Sequence, residues 1–134
     1  MKKEEKKLTK VSLVKCKNYE KERVYKAVKK ALKLADIEIP KRKKVLVKPN
    51  VVGYFKCNQE AITTHISVIE AVCRLLKENN CKIFIGDSSF TDPEIAFEKT
   101  GIEKLAKKYG KLAIFDQEKM IKTYNSNAKV LQSF

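Results

Sequence analysis

Four short apolar runs alternate with longer stretches of helical periodicity, and this alternation constrains the fold more than any other feature of the chain. The runs are KVSLVKC at 10–16, KVLV at 44–47, CKIFI at 81–85 and KLAIFD at 111–116. Between the first two, apolar residues recur at helical spacing from Val24 to Ala35. Such alternation predicts parallel strands joined by right-handed crossovers. We therefore expect an α/β fold, a Rossmann-like three-layer sheet of about four strands with flanking helices.

The chain is expected to form one domain. Its 134 residues are 43% hydrophobic and 34% charged, which is enough apolar material for a single core. Residues 1–9 are predicted to be a charged flexible tail and residues 10–134 the domain. Because KVLV is a continuous apolar run, we expect both faces of the sheet to be covered.

Helix boundaries are predicted from capping residues. Thr64 is a natural N-cap for the helix that follows it, and His65 is expected in the first turn. Asn79 and Asn80 are expected at the end of that helix. Asp92 followed by a proline is predicted to start the next helix, and Gly101 to interrupt it.

Polar side chains follow two of the apolar runs and precede one helix. Lys48 and Asn50 follow the second run, Asp87 and Ser88 follow the third, and the next helix is predicted to start at Thr63-Thr64-His65. In a parallel sheet, ligands bind beyond the carboxyl ends of the strands. These three sites are therefore expected at one edge of the sheet. The predicted ligand-binding residues are Lys48, Asn50, Thr63, Thr64, Asp87 and Ser88.

Each of these residues also has a purely structural interpretation. Lys48 needs an anionic partner, which is either a ligand or Asp87. Asn50 either contacts a ligand or forms a turn after proline. Asp87 could hold a metal, a ribose or Lys48, or could cap the turn. His65 is a candidate base or metal ligand, or a polar surface residue, so whether the chain is an enzyme stays open.

Familiar nucleotide and hydrolase motifs are absent from the sequence. The loop after the second run has one glycine, Gly53, and matches neither the dinucleotide fingerprint nor the Walker loop. Ser88 and Ser89 do not lie in a nucleophile elbow. A helix N-terminus can still bind an anion without these motifs.

Four cysteines are present, at positions 16, 57, 73 and 81, and none forms a C-x-x-C pair. This spacing argues against a self-contained zinc or iron–sulfur site. We expect reduced thiols, with Cys73 and Cys81 packed as small hydrophobic residues and Cys57 in a loop.

The net charge of +14 is concentrated in the first 50 residues, which hold 18 basic and 6 acidic side chains. A basic half can indicate a nucleic-acid partner. However, arginine, the usual residue for base and phosphate contacts, occurs only three times in the chain. Nucleic-acid binding is therefore the weaker interpretation, and a solvated lysine-rich helix face is favoured.

Four motifs together resemble the family named domain of unknown function 362. They are KVLVKPNVV, then AITTH before a helix, CKIFIGDSS, and AFEKTGIEKLAKK, in that order, and the resemblance covers roughly residues 11–119. It implies that Lys48, Asn50, Thr64, His65 and Asp87 belong to the family's motif set, without assigning them roles. It also implies an association with iron–sulfur or redox proteins.

This chain departs from the family pattern at two points. Ile66 stands where the family usually has a proline, and Phe134 precedes a second stretch that holds a lysine, a histidine and often a cysteine cluster. The resemblance therefore implies the N-terminal part of a longer domain, with no iron–sulfur cluster expected in this chain.

Three functions are compatible with these observations. The leading hypothesis is binding of a small anionic ligand or metal complex at the carboxyl ends of the strands. The alternatives are a non-catalytic fragment that needs a missing half or partner chain, and lysine-driven nucleic-acid binding through residues 1–50. The sequence contains no run of about 18 apolar residues and no apolar segment behind its charged start, so a cytoplasmic location is expected.

Overall fold

The computed structural model describes residues 9–55, 62–115, 121–122, 124 and 126–127. Its elements, in chain order, are α1 (Lys21–Leu34), β1 (Lys44–Val47), α2 (Ile66–Glu78), β2 (Lys82–Asp87), α3 (Pro93–Lys99), α4 (Ile102–Tyr109) and β3 (Lys111–Ile114). The predictions for most of the charged tail and for Cys57 lie outside the described residues. None of the described helices is long and apolar enough to cross a membrane.

The three strands form one parallel sheet in the order β1-β2-β3, which confirms the predicted α/β class. The expected count of about four strands is wrong for the described chain, because the run at 10–16 is not a strand. Val11 and Leu13 in this run are 90% and 97% exposed. A strand needs a neighbouring ladder for its backbone hydrogen bonds, and this segment instead lies against α1, where the Ser12 hydroxyl donates to the Ala31 carbonyl at 2.8 Å.

The helices that connect the strands pack on one face of the sheet. The register of β1 and β2 pairs Val45 with Ile83 and Val47 with Ile85. These four side chains therefore lie on the same face of the sheet. They belong to one core cluster with residues of both α2 and α4, among them Ile69 and Ile102. On the opposite face Leu46 is 51% exposed. The expectation that β1 is covered on both faces is therefore wrong for Leu46.

α1 forms a second, smaller cluster on the outer side of α2. Val24 and Tyr25 of α1 are buried against Ala71 and Leu75 of α2. The helical spacing of the apolar residues in α1 thus serves helix–helix packing. Its remaining surface carries the exposed lysines predicted from the sequence.

The capping residues of the later helices lie where the sequence predicts them. Asp92 accepts a hydrogen bond from the backbone N–H of Ile95 at 3.1 Å, and a proline opens α3. Asn79 is the C-cap of α2, and Gly101 separates α3 from α4 in a left-handed conformation with φ of 78°. Glycine adopts this conformation without the steric cost that a Cβ brings.

Candidate functional site

Lys48 and Asp87, which follow β1 and end β2, form an ion pair. The Lys48 ammonium lies 2.7 Å from Asp87 Oδ1, and the two side chains are 58% and 5% exposed. Within the chain, Asp87 is therefore the anionic partner that Lys48 requires. More than half of the Lys48 side-chain surface nevertheless remains accessible to solvent.

The Asp87 carboxylate also organises the two loops that follow the strands. Its Oδ2 accepts the backbone N–H of Val51 at 2.9 Å, and its Oδ1 accepts that of Ser88 at 2.9 Å. Val51 is 2% exposed, so its N–H has little access to water. Gly86 precedes this aspartate, and a Cβ there would meet the Ala113 carbonyl oxygen at 1.8 Å. The Gly-Asp pair thus combines close strand packing with a buried acceptor.

Asn50 and Thr64 bind each other and join the segment after β1 to the segment before α2. The Asn50 N–H donates to Thr64 Oγ1 at 3.0 Å, and the Thr64 N–H donates to the Asn50 carbonyl at 3.0 Å. Asn50 Nδ2 donates to the Ile62 carbonyl at 2.8 Å, and Val51 pairs with Thr63 in an antiparallel bridge. These contacts account for why polar residues occur at both positions.

His65, rather than Thr64, is the N-cap of α2, so the predicted cap residue was wrong by one position. His65 Nδ1 accepts the N–H of Ser67 at 3.2 Å. The Thr64 hydroxyl is already engaged with Asn50, which leaves the next side chain to cap the helix. Since Nδ1 is an acceptor in this geometry, the imidazole hydrogen lies on Nε2.

Tyr19 stacks on His65, a contact that the sequence did not predict. The ring centroids are 3.7 Å apart and the planes are inclined by 16°. The Ser67 hydroxyl donates to the Tyr19 carbonyl at 3.0 Å. No local pattern signals this pair, because it joins the turn before α1 to the start of α2, 46 positions away in the sequence.

The loops after β1 and β2 are also bonded to each other beyond Asp87. The Phe90 N–H donates to the Val52 carbonyl at 2.8 Å, and the Tyr54 N–H donates to Thr91 Oγ1 at 3.1 Å. Thr91 was not among the predicted site residues. The predicted residues are thus linked by direct contacts or chain adjacency along the carboxyl edge of the sheet.

Metal ligation by His65 or Asp87 stays a prediction. Within the described ranges, no group of three or more histidine, cysteine, aspartate and glutamate side chains is assembled that could hold a metal ion. Cys73 and Cys81 are buried as expected, and Cys16 is exposed. Burial, together with nearby Glu70, raises the pKa of the Cys73 thiol to about 12, so this group is protonated at neutral pH.

A second polar cluster surrounds Glu70, whose side chain is 14% exposed. Its carboxylate lies 2.8 Å from Lys108 and 3.1 Å from Lys21, and the Tyr109 hydroxyl donates to it at 3.3 Å. The hydrogen bond from Lys108 holds the pKa of Glu70 below its ordinary value, although burial partly opposes this. The cluster ties α4 and the start of α1 to α2.

Glu70→Gln is expected to cost about 1 kcal/mol of stability at neutral pH, because it removes two partly exposed ion pairs. A lowered folded-state pKa contributes stability that is complete above the ordinary value of 4.5 and is lost as pH falls through the lower folded value. The free energy of unfolding, measured by urea denaturation at pH values below 4.5, should therefore depend less on pH in Glu70→Gln than in the wild type. The matched control is Glu98→Gln, whose carboxylate is 61% exposed in its pair with Lys99. If both substitutions lowered the free energy of unfolding by the same amount, the Glu70 ion pairs would not have the stabilising role assigned to them.

Comparison with known proteins gives one family match. The model of the family described as "Domain of unknown function (DUF362)" matches residues 45–134. No curated protein and no solved structure shows significant similarity to the chain. The matched region begins in β1 and includes Lys48, the hydrogen-bonded pair of Asn50 and Thr64, and Asp87. Since it spans more than half of the sequence, the chain belongs to the domain of unknown function 362 family.

Proposed function

We propose that this domain binds a small anionic ligand, or an anionic metal complex, at the carboxyl ends of β1 and β2. The observation that carries the proposal is the Lys48 side chain, which is 58% exposed while its ammonium is paired with the buried Asp87 carboxylate at the end of the strand. A lysine fixed in this way presents a positive charge to solvent at the edge of a parallel sheet where ligands usually bind.

The start of α2 supports an anionic rather than a cationic ligand. The first turn of this helix contains no acidic residue. A helix N-terminus carries partial positive charge and favours anions. Asn50 and Thr64 attach this helix start to the segment that carries Lys48, so both sources of positive potential lie on one connected edge.

His65 is proposed to bind the ligand as a hydrogen-bond donor. Its Nδ1 lone pair already accepts the Ser67 N–H, so a role as general base would require breaking the helix cap. The Nε2–H group is then available to donate a hydrogen bond to an anionic oxygen of the ligand. Asp87, Asn50 and Thr64 act as positioning residues in this proposal.

Lys48→Gln is expected to weaken binding of inorganic phosphate or pyrophosphate at least about tenfold. The control is Lys26→Gln, because Lys26 is exposed on α1 and its substitution changes the net charge by the same amount as Lys48→Gln. Amide NMR during the titration should show shifts confined to residues near 48–65 and 87–89. Scattered shifts, or equal weakening by both substitutions, would refute the proposal.

Asp87→Asn distinguishes a free anion from a metal complex. If the ligand is a free anion, phosphate binding should persist in this variant, because Lys48 keeps its positive charge although it loses the ion pair that positions it. A ligand held through a divalent ion on Asp87 should instead lose affinity, which a manganese titration by NMR line broadening measures.

The other hypotheses about partners stay predictions. A redox setting is implied by the family resemblance, and Cys16, Cys73 and Cys81 form no metal-binding group with the other described residues. For nucleic acid, the discriminating quantity is the salt dependence of the binding constant, which falls steeply when lysines neutralise phosphates.

A further inference from the structure

Among the residues that the structure describes, no strand pairs with the outer edge of β1. β1 lies at one end of the sheet and pairs with β2 through Lys44–Val47. Across residues 9–55 and 62–115, no backbone hydrogen bond joins its other side to a neighbouring segment. A free strand edge offers unpaired backbone donors and acceptors, which an added strand satisfies.

An apolar groove of about 200 Å³ runs along this free edge. Its walls come from α1, the linker between α1 and β1, β1 itself and α2, and they include Leu32, Ile39, Val45, Val72 and Leu75. Two large apolar residues among those lining the groove are more than half exposed, Ile37 at 56% and Leu46 at 51%. Backbone groups and apolar side chains are thus available together, which is the combination that strand addition uses.

The charge around the groove indicates what kind of strand fits. The residues before β1, Lys41, Arg42 and Lys43, are exposed, as is Lys44 at its start. In the part of the chain that the structure describes, none of the four forms an ion pair, and Glu38 is the acidic residue among those lining the groove. An extended segment with acidic residues beside its apolar positions complements this surface.

We propose that the β1 edge binds an extended, apolar segment of a partner protein with acidic flanks, by strand addition. This inference is independent of the proposed ligand site, because it depends on the side of β1 rather than on its carboxyl end. Its occupant adds a strand next to β1, with side chains in the groove to which α1 contributes Leu32.

A second copy of the chain fits the edge less well. Antiparallel pairing of two β1 strands centred on Leu46 would place Lys44 of one copy opposite Lys48 of the other. Each copy also has a net charge of +14. Edge lysines are a common device against such self-pairing. The chain's own segment 10–16 is engaged elsewhere, through Ser12 on α1 and an ion pair between Lys10 and Asp36.

The test uses a short synthetic peptide in which valine and threonine alternate between terminal glutamates. Two control peptides carry terminal lysines, or N-methylated amides that cannot donate backbone hydrogen bonds. We expect the glutamate peptide to bind at least about tenfold more tightly than either control, as measured by fluorescence anisotropy. Hydrogen exchange should show new protection of Val45, Leu46 or Val47.

A pair of leucine substitutions gives the matched control. Leu46→Lys alters the groove at a half-exposed position and is expected to abolish peptide binding, whereas Leu13→Lys, at a 97% exposed position outside the groove, should leave it unchanged. Absence of binding at millimolar peptide, or equal binding of the N-methylated peptide, would overturn the proposal. It would also be overturned if β1 amides were protected without peptide, through a dimer or through segment 10–16.

Discussion

Asp87→Ala is expected to lower the free energy of unfolding by about 2–4 kcal/mol. The substitution leaves the buried N–H of Val51 without its acceptor and removes the partner of Lys48. The lower part of the range reflects Lys48, which is more than half exposed and can regain water. Urea denaturation followed by circular dichroism measures the change.

The control for this prediction is Asp92→Ala, which removes an aspartate that caps the exposed start of α3. Its expected cost is about 1 kcal/mol, the usual value for a lost N-cap. If Asp87→Ala cost no more than Asp92→Ala, the Asp87 carboxylate would not be needed to hold the loops. Asp87→Asn should fall between the wild type and Asp87→Ala, since it keeps one acceptor oxygen.

Phe97→Ala is expected to cost about 3–5 kcal/mol, the range for removing a buried aromatic side chain. Phe97 is 0% exposed and is the largest fully buried side chain in the described core. It lies in the seven-residue helix α3, which is too short to be stable without tertiary packing. The loss should therefore include undocking of α3.

Phe90→Ala is the matched substitution, because Phe90 is 88% exposed in the loop after β2. It should change stability by less than about 0.5 kcal/mol. Thermal and urea unfolding of the two variants would separate the effect of burial on stability from the effect of replacing a phenylalanine as such. Similar losses for both would contradict the assignment of Phe97 to the core.

Helix boundaries were largely predictable because they depend on local chemistry. Asp92 and the proline after it start α3, Asn79 ends α2 and Gly101 divides α3 from α4, each through contacts within one turn. The N-cap of α2 was the exception. Thr64 has the better capping side chain by type, but its hydroxyl accepts from Asn50, which lies 14 residues earlier.

The edge that holds the candidate site was predictable from topology, whereas the contacts within it were not. Parallel strands bring Lys48, Asp87 and the start of α2 to one edge of the sheet. The bond from the Val51 N–H to Asp87 and the stacking of Tyr19 on His65 depend on how distant loops fold together. Such pairings have no period or spacing that a sequence displays.

The sequence by itself determined the α/β class, the amphipathic helices and the shared location of the strand-end residues, because these depend on periodicity and chain direction. Tertiary structure alone decided whether the run at 10–16 became a strand. Its residues have an extended, partly apolar pattern, yet a strand is completed by hydrogen bonds to a neighbour, and here the segment lies on α1 instead. For the same reason the outer edge of β1 has no strand beside it within the described ranges, since an edge is a property of the sheet and not of any single strand.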